Sequence, residues 1–405
     1  MTLLTSERMT GSFILHTTSY IRAMAKMAAA VSLSLSSSAM AGEDDGLEVN
    51  GDGVTLTNGD LILNLGGRLH LDALTYDDGT SSNTTADWRR ARVQLSAKLG
   101  DSVRVRVDRE FAGTDGWRNA YVAVDPVKGI RVTGGNIIVP FSMEDLQSSN
   151  RITLAERSLT AALAPGFGLG GGVRVAQDSW TLSGGYFTDA LDDADGRSRV
   201  RGDGFATRAT FAPIRKSDQF LHFGAGYEHR SFSVGDLPSF SAGPGSNLAP
   251  GLISSGSIAA ASKLDNYGAE FAYARGPMQV QMQYIASKVD RTSLSTLDFG
   301  GWYAQASWMV TGEDYRYSRS NGIPIGPRLQ RGSGAVELAA RYSELDLDET
   351  TLDRGKASAL SLGATWYLNK NIRVVTNYVH SQTSDRMLFP DTSGDLGVVR
   401  FQIAF

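Results

Sequence analysis

The chain has 405 residues, no cysteine and a formal net charge of -4. Without cysteine there is no disulfide, thiol nucleophile or cysteine metal ligand, and the acidic balance carries no footprint of nucleic-acid binding. Mean hydropathy is -0.18 and no stretch reaches the roughly 18 apolar residues of a spanning helix, so a membrane protein of this composition has to be a barrel.

At the N-terminus, Lys26 precedes the short apolar run Met27 to Leu35, and Ala39-Met40-Ala41 is an A-x-A cleavage site. This pattern predicts a signal peptide over residues 1–41, with Met24 as an alternative start. Residues 42–60 are read as a short periplasmic N-terminal segment, and 61–405 as one barrel domain.

From Leu61, apolar and polar residues alternate over roughly ten positions before each turn or polar loop. Val103-Arg104-Val105-Arg106-Val107 is the clearest case. The pattern predicts strands over 61–74, 88–99, 102–111, 118–124, 130–138, 169–176, 179–187, 201–212, 219–232, 264–275, 278–288, 299–311, 334–345, 357–368, 371–382 and 396–405. The fold class is all-β: a transmembrane antiparallel β-barrel of about 16 strands with inward-folded loops.

Turns expected on the periplasmic side are tight, as at Gly100-Asp101, Gly276-Pro277 and Asn369-Lys370. Two connections stand apart. Val139–Gly168, on the outer side, opens with a helical turn over Ser142–Leu146, with Ser142 as cap and Asp145 three residues on. Its Leu146, Ile152, Leu154, Leu159 and Leu163 are expected to pack against the inner wall and narrow the lumen. Gly312–Ser333 lies on the periplasmic side yet runs about twenty residues. It carries Arg316, Arg319, Arg328 and Arg331 and is either a solvated loop or a segment folded into the pore mouth.

Strict alternation assigns the faces. With Val, Leu and aromatic positions toward lipid, Asn64, Arg68, Arg90, Arg92, Gln94, Arg104, Arg106, Arg174, Gln281, Gln283, Glu337, Arg341, Arg373, Arg400 and Gln402 face the lumen. Trp302, Trp308, Trp366, Tyr342, Tyr378 and Phe405 share the lipid-facing parity and suit interfacial girdles. Guanidinium groups bind oxyanions bidentately and stay charged, so an arginine-rich lumen points to an anion pathway. Pairing of the same residues with Asp108 and Glu110, to rigidify the wall, is the competing reading.

Catalysis finds no support. The five histidines form no HExxH spacing, and no GxSxG or P-loop occurs. No cofactor is expected. Asp189, Asp192, Asp193 and Asp195 lack an EF-hand's Gly and terminal Glu, leaving a solvated face or divalent bridging to lipopolysaccharide. Gly134-Gly135 and Gly170-Gly171-Gly172 are expected to mark close strand packing or bending.

Trp88-Arg89-Arg90-Ala91-Arg92, Pro140-Phe141-Ser142-Met143-Glu144, Leu154 to Leu159 (LAERSL), Trp302-Tyr303 with Val310 to Glu313, Glu337 to Ser343 (ELAARYS), and Trp366-Tyr367-Leu368 with Asn377-Tyr378-Val379 together resemble the phosphate-selective porin O and P family. The resemblance implies a 16-stranded trimeric porin in which a loop after the fifth strand and a long periplasmic turn enter the lumen. These fall on Val139–Gly168 and Gly312–Ser333. It also implies that Arg89-Arg90 lies near the constriction, although parity sends Arg90 inward and leaves Arg89 near the rim. The expected function is passive diffusion of small anions, phosphate and polyphosphate among them, across the cell outer membrane. The expected pathway residues are Arg90, Arg92, Arg104, Arg106, Arg151, Arg157, Arg316 and Arg319, and the expected partners are outer-membrane lipid and lipopolysaccharide. One feature departs from the family: the outer loop Ser233–Ser262 has no Arg or Lys, where phosphate-specific members carry several arginines. That leaves open another oxyanion, a general porin with little charge selectivity, or an envelope-structural or adhesive barrel. The loop's apolar, Gly-rich character fits either a shield over the mouth or contact with a neighbouring subunit.

Overall fold

The computed structural model describes residues 46–50, 53–113, 115–192, 202–329, 334–349, 352–386 and 390–405. The predicted signal peptide, Asp193, Asp195 and Arg331 lie outside the described residues.

Sixteen antiparallel strands close into a barrel. They are β1 (Leu61–Asp77), β2 (Ser82–Leu99), β3 (Val103–Glu110), β4 (Gly116–Val127), β5 (Ile130–Ile138), β6 (Phe167–Ala176), β7 (Trp180–Thr188), β8 (Asp203–Arg215), β9 (Gln219–Ser231), β10 (Ala261–Arg275), β11 (Met278–Arg291), β12 (Leu294–Met309), β13 (Ala335–Asp346), β14 (Lys356–Tyr367), β15 (Ile372–Ser384) and β16 (Ser393–Ala404). Each predicted strand has its counterpart, generally extended by a few residues toward the outer rim. Two short strands, Gly46–Asn50 and Gly53–Asn58, precede the barrel in the chain. β16 pairs with β1 from Asp395↔Asp77 to Ala404↔Arg68, which closes the sixteen strands on themselves.

Burial follows the predicted parity. Along β14 and β16, Trp366 and Phe401 are 52% and 42% exposed on the outer face, while Thr365 and Arg400 are 2% and 1% exposed on the inner. The reverse arrangement would set an arginine in hydrocarbon at about 2–4 kcal/mol each near mid-depth. The inner wall of β5–β7 carries glycines. A Cβ at Gly170 would sit 2.0 Å from the Tyr186 carbonyl oxygen of the neighbouring strand, so these glycines mark close strand approach.

Three connections turn into the barrel. The first, residues 139–166, contains α1 (Met143–Leu146), whose cap Ser142 Oγ accepts from the Asp145 N–H at 3.2 Å. A short 3-10 turn follows at Leu159–Leu163. The second, on the rim shared with Phe405, forms a hairpin of Tyr315–Ser318 with Ile323–Pro327. The hairpin enters the lumen rather than extending into solvent. Tyr315 donates to Glu337 on β13 (2.7 Å), Tyr317 Oη lies 2.8 Å from His222 Nδ1 on β9, and Arg208 on β8 donates to the Asn321 and Gly322 carbonyls (3.1 and 2.8 Å). The third is the arginine-free loop after β9. Its Phe240, Leu252, Ile253 and Ile258 are buried in one cluster with Leu264, Val289, Leu345, Val379 and Leu396 of the wall. It shields the mouth: toward the outer rim, the β10–β16 side of the lumen is filled by an apolar core.

The barrel seam depends on a close approach. Gly67 N donates to the Phe405 carbonyl at 2.6 Å, and Phe405 N donates back to Gly67 O at 3.0 Å. A Cβ on residue 67 would lie 2.6 Å from the Arg92 carbonyl oxygen and 3.0 Å from the Phe405 ring. Gly67→Val should therefore lower the fraction of protein that runs as a compact, heat-modifiable band on unheated gels. Gly134→Val, where nothing lies within 4 Å, should leave that fraction unchanged.

Candidate functional site: an arginine-lined pathway

The inward arginines do two kinds of work. Those of β13, β15 and β16 hold the first inserted loop. Arg341 donates to the carbonyls of Glu156 (3.0 Å) and Arg157 (3.1 Å), Arg373 to those of Ile152 (2.9 Å) and Ser149 (3.2 Å), and Arg400 to that of Ala155. A loop inside a barrel has few waters to satisfy its carbonyls, and a guanidinium with five N–H groups serves several at once. Arg400 is fixed in turn by a bidentate pair with Asp72 at 2.6 and 2.7 Å.

Arg68, Arg90, Arg92 and Arg106 of β1–β3 line open space. A cavity of about 430 Å³ is bounded by Arg68, Arg90, Arg92 and Arg106 from the wall and by Arg151 and Arg157 from the loop, with Asp145 the one carboxylate in its lining. The balancing carboxylates lie behind: Glu110 is 3.1 Å from Arg92 and 3.8 Å from Arg90, and Asp108 is 2.8 Å from Arg106. Both are almost fully buried. Two guanidinium groups thus share Glu110. Pairing and lining, alternatives in the sequence, coexist here.

Below lies a cavity of about 500 Å³ at the rim of Phe405, lined by Arg68, Arg151, Arg316, Arg328 and Arg373 and, among the described residues, by no Asp or Glu. Arg68, Gln94, Asn150 and Arg151 line both cavities. No described carboxylate lies within ion-pairing distance of Arg68, Arg151, Arg316 or Arg328. Burial, then the neighbouring Arg151 and Arg328 charges, holds the Arg316 guanidinium below its ordinary pKa. Above lies an outer cavity of about 450 Å³ that shares Arg157 with the middle one. A side cavity of about 250 Å³ is lined by Arg131, Arg174 and Arg208.

Of the eight residues singled out from sequence, Arg90, Arg92, Arg106, Arg151 and Arg157 meet in the middle cavity and Arg316 joins Arg151 below. Two stand aside. Arg104 pairs with Asp125 at 3.1 Å, sharing it with Arg131, and the exposed Arg319 donates to the Arg215 carbonyl at 3.3 Å. Neither lines the cavities described. Arg68 and Arg328 were absent from that set. Parity already turned Arg68 inward, whereas the place of Arg328 depends on the fold of the hairpin. Among the described residues no group of His, Asp and Glu could hold a metal. Asp192 instead accepts from Trp117 N at 2.7 Å and Asp189 from Gly202 N at 2.9 Å, tying outer loops together.

Arg89 corrects the parity reading. In the β1–β2 ladder His70 faces Arg90, but Leu71 faces Trp88. The extra residue at this bulge turns Arg89 inward beside Arg90, where both are buried. Arg89 donates bidentately to Glu156 of the loop (2.7 and 2.9 Å), and Arg400 donates to the same carboxylate at 2.6 Å. Burial pushes the Glu156 carboxyl up, but Arg89 and Arg400 outweigh it and hold the group well below the usual carboxylate range. Glu156→Gln should lower barrel stability by about 1–3 kcal/mol at neutral pH, read by thermal denaturation. A depressed folded pKa contributes fully above the unfolded value of about 4.3 and is lost as pH falls through the lower folded one. The gap between wild type and variant should thus persist at weakly acidic pH and close only below it.

The model of the phosphate-selective porin O and P family matches residues 63–405. The chain is 27% identical to Porin O of Pseudomonas aeruginosa over 94% of its own length and 98% of that protein. Among solved structures it resembles the anion-selective porin from Comamonas acidovorans, with TM-score 0.55 and 13% identity over 85% of this chain and 100% of that one. It also resembles the trimer form of OmpT of Vibrio cholerae, with TM-score 0.53 and 14% identity over 85% and 99%. Closed barrel, lipid-facing stripe, inserted loops and family match agree: this is an outer-membrane β-barrel, and the chain belongs to the phosphate-selective porin O and P family.

Proposed function

We propose that the protein conducts small anions passively across the outer membrane through this pathway. The observation that carries the reading is continuity of charge: Arg68 and Arg151 line both the middle and lower cavities, and neither has a carboxylate partner among the described residues. An anion leaving Arg90, Arg92 and Arg106 passes to Arg68 and Arg151 and then to Arg316 and Arg328 without entering a neutral stretch. Several weak sites suit conduction, because an ion held once and tightly does not leave. The description of the Comamonas porin as anion-selective and the relationship to Porin O support the same reading, and the trimer form of the Vibrio porin supports a homotrimer. The lipid-facing stripe would lie against outer-membrane lipid and lipopolysaccharide. Phosphate is one candidate solute among several, since the loop after β9 supplies no basic ladder.

Reversal potentials of the purified protein in asymmetric potassium chloride test the proposal. Anion preference is expected, and cation preference would refute it. Removing a guanidinium from a water-filled passage should weaken its attraction for an ion by about 1 kcal/mol, roughly a fivefold change in anion-to-cation permeability. Arg68→Ala and Arg151→Ala should each show this loss, with a smaller effect in molar salt, while Arg319→Ala should change nothing. We further propose that residues 1–41 are removed on export. An intact mass beginning at Gly42 is the expected result, and a retained N-terminus would overturn it.

A further inference from the structure

The outer cavity is built differently from those beneath it. One wall is the 3-10 turn of the first inserted loop, with Leu159 and Ala162, and the facing wall is the arginine-free loop, with Leu248 and Ala249, while the rest of the lining is largely polar and includes Asp87 and the Arg89–Glu156 pair. Both walls are backed by the apolar core of the outer barrel, so they are fixed surfaces. Arg157 borders this cavity and also the arginine cavity below, where its guanidinium is held by the Glu144, Asp145 and Gln147 carbonyls (2.9, 3.1 and 2.8 Å) and lies 3.3 Å from the Asp145 carboxylate. A strongly hydrated inorganic oxyanion gains nothing from such walls and gives up water beside them. A solute with an apolar body gains on burial and reaches the guanidinium groups with its charged end. The volume of about 450 Å³ lies within the roughly 300–1,000 Å³ of pockets that take small organic ligands.

We infer that the pathway favours amphipathic organic anions, a carboxylate on a compact apolar body, with the body between Leu248 and Leu159 and the carboxylate directed toward the arginine cavity beneath. This rests on the anion pathway proposed above and names the solute class that its entrance selects. The apolar loop then acts as a filter at the mouth, and the arginines as the path behind it.

The test is block of chloride current through the purified full barrel by benzoate, acetate and phosphate. Benzoate should halve the current at about one-tenth the concentration required of acetate, an advantage that needs only about 55 Å² of apolar contact. Leu248→Asn should remove most of that advantage while reversal potential and phosphate block stay at wild-type values, which also shows that the variant is folded. Equal block by benzoate and acetate in the wild type would overturn the inference. So would a Leu248→Asn channel that keeps its anion preference and the full benzoate advantage. A cation-favouring reversal potential would remove the anion pathway itself, so the two failures are distinguishable.

Discussion

In lipid every backbone N–H and C=O must find its partner within the protein, and closing β16 onto β1 achieves this for the whole sheet at once. The closure forces the rest. Side chains on a closed ladder have only two directions, hydrocarbon or lumen, and the large free energy separating them fixes which residues take which. Sixteen strands enclose more space than their own side chains fill, so the interior has to be occupied by inserted chain or by water. Here it holds both, and the division between them defines the channel.

Arginine serves on each side of that division through the same chemistry. On β13, β15 and β16 its donors go to the carbonyls of the inserted loop, converting backbone that would otherwise need solvent into part of the wall. On β2 and β3 the nearest carboxylates are recessed, so the guanidinium groups of Arg92 and Arg106 are positioned by Glu110 and Asp108 while still facing the cavity. A buried carboxylate shared by two arginines neutralises only part of their charge. What remains is a rigid positive surface whose residues did not have to be left unpaired to be useful.

Much of this was legible in the sequence because alternation leaves a mark on every strand. The strand number, the lumen-facing parity, the Ser142 cap and the entry of Val139–Gly168 into the barrel all followed from local pattern and composition. Arg89 was not legible, since a bulge shifts the pattern by one residue and nothing in Trp88-Arg89-Arg90 announces it. The direction of the hairpin was open for another reason. Two of its anchors, Arg208 and His222, lie on the paired strands β8 and β9, 114 and 95 residues away from their partners in sequence, and only the closed barrel brings them to Gly322 and Tyr317. Arg104 shows that alternation gives the face but not the depth: it turns to Asp125 and lines none of the cavities described.

The arginine-free loop also shapes what lies along the axis. It closes one side of the outer mouth with apolar residues, while the opposite mouth carries Arg316 and Arg328 with no Asp or Glu among the described residues of its lining. Fixed charge is thus distributed unequally between the two entrances. An ion entering from outside meets a low-polarity step before the attractive region, and one entering from the periplasm meets the attraction first. Such a passage is expected to rectify: its current at a given voltage should depend on the sign of that voltage, and the direction of easier flow should report how the barrel is oriented in the bilayer.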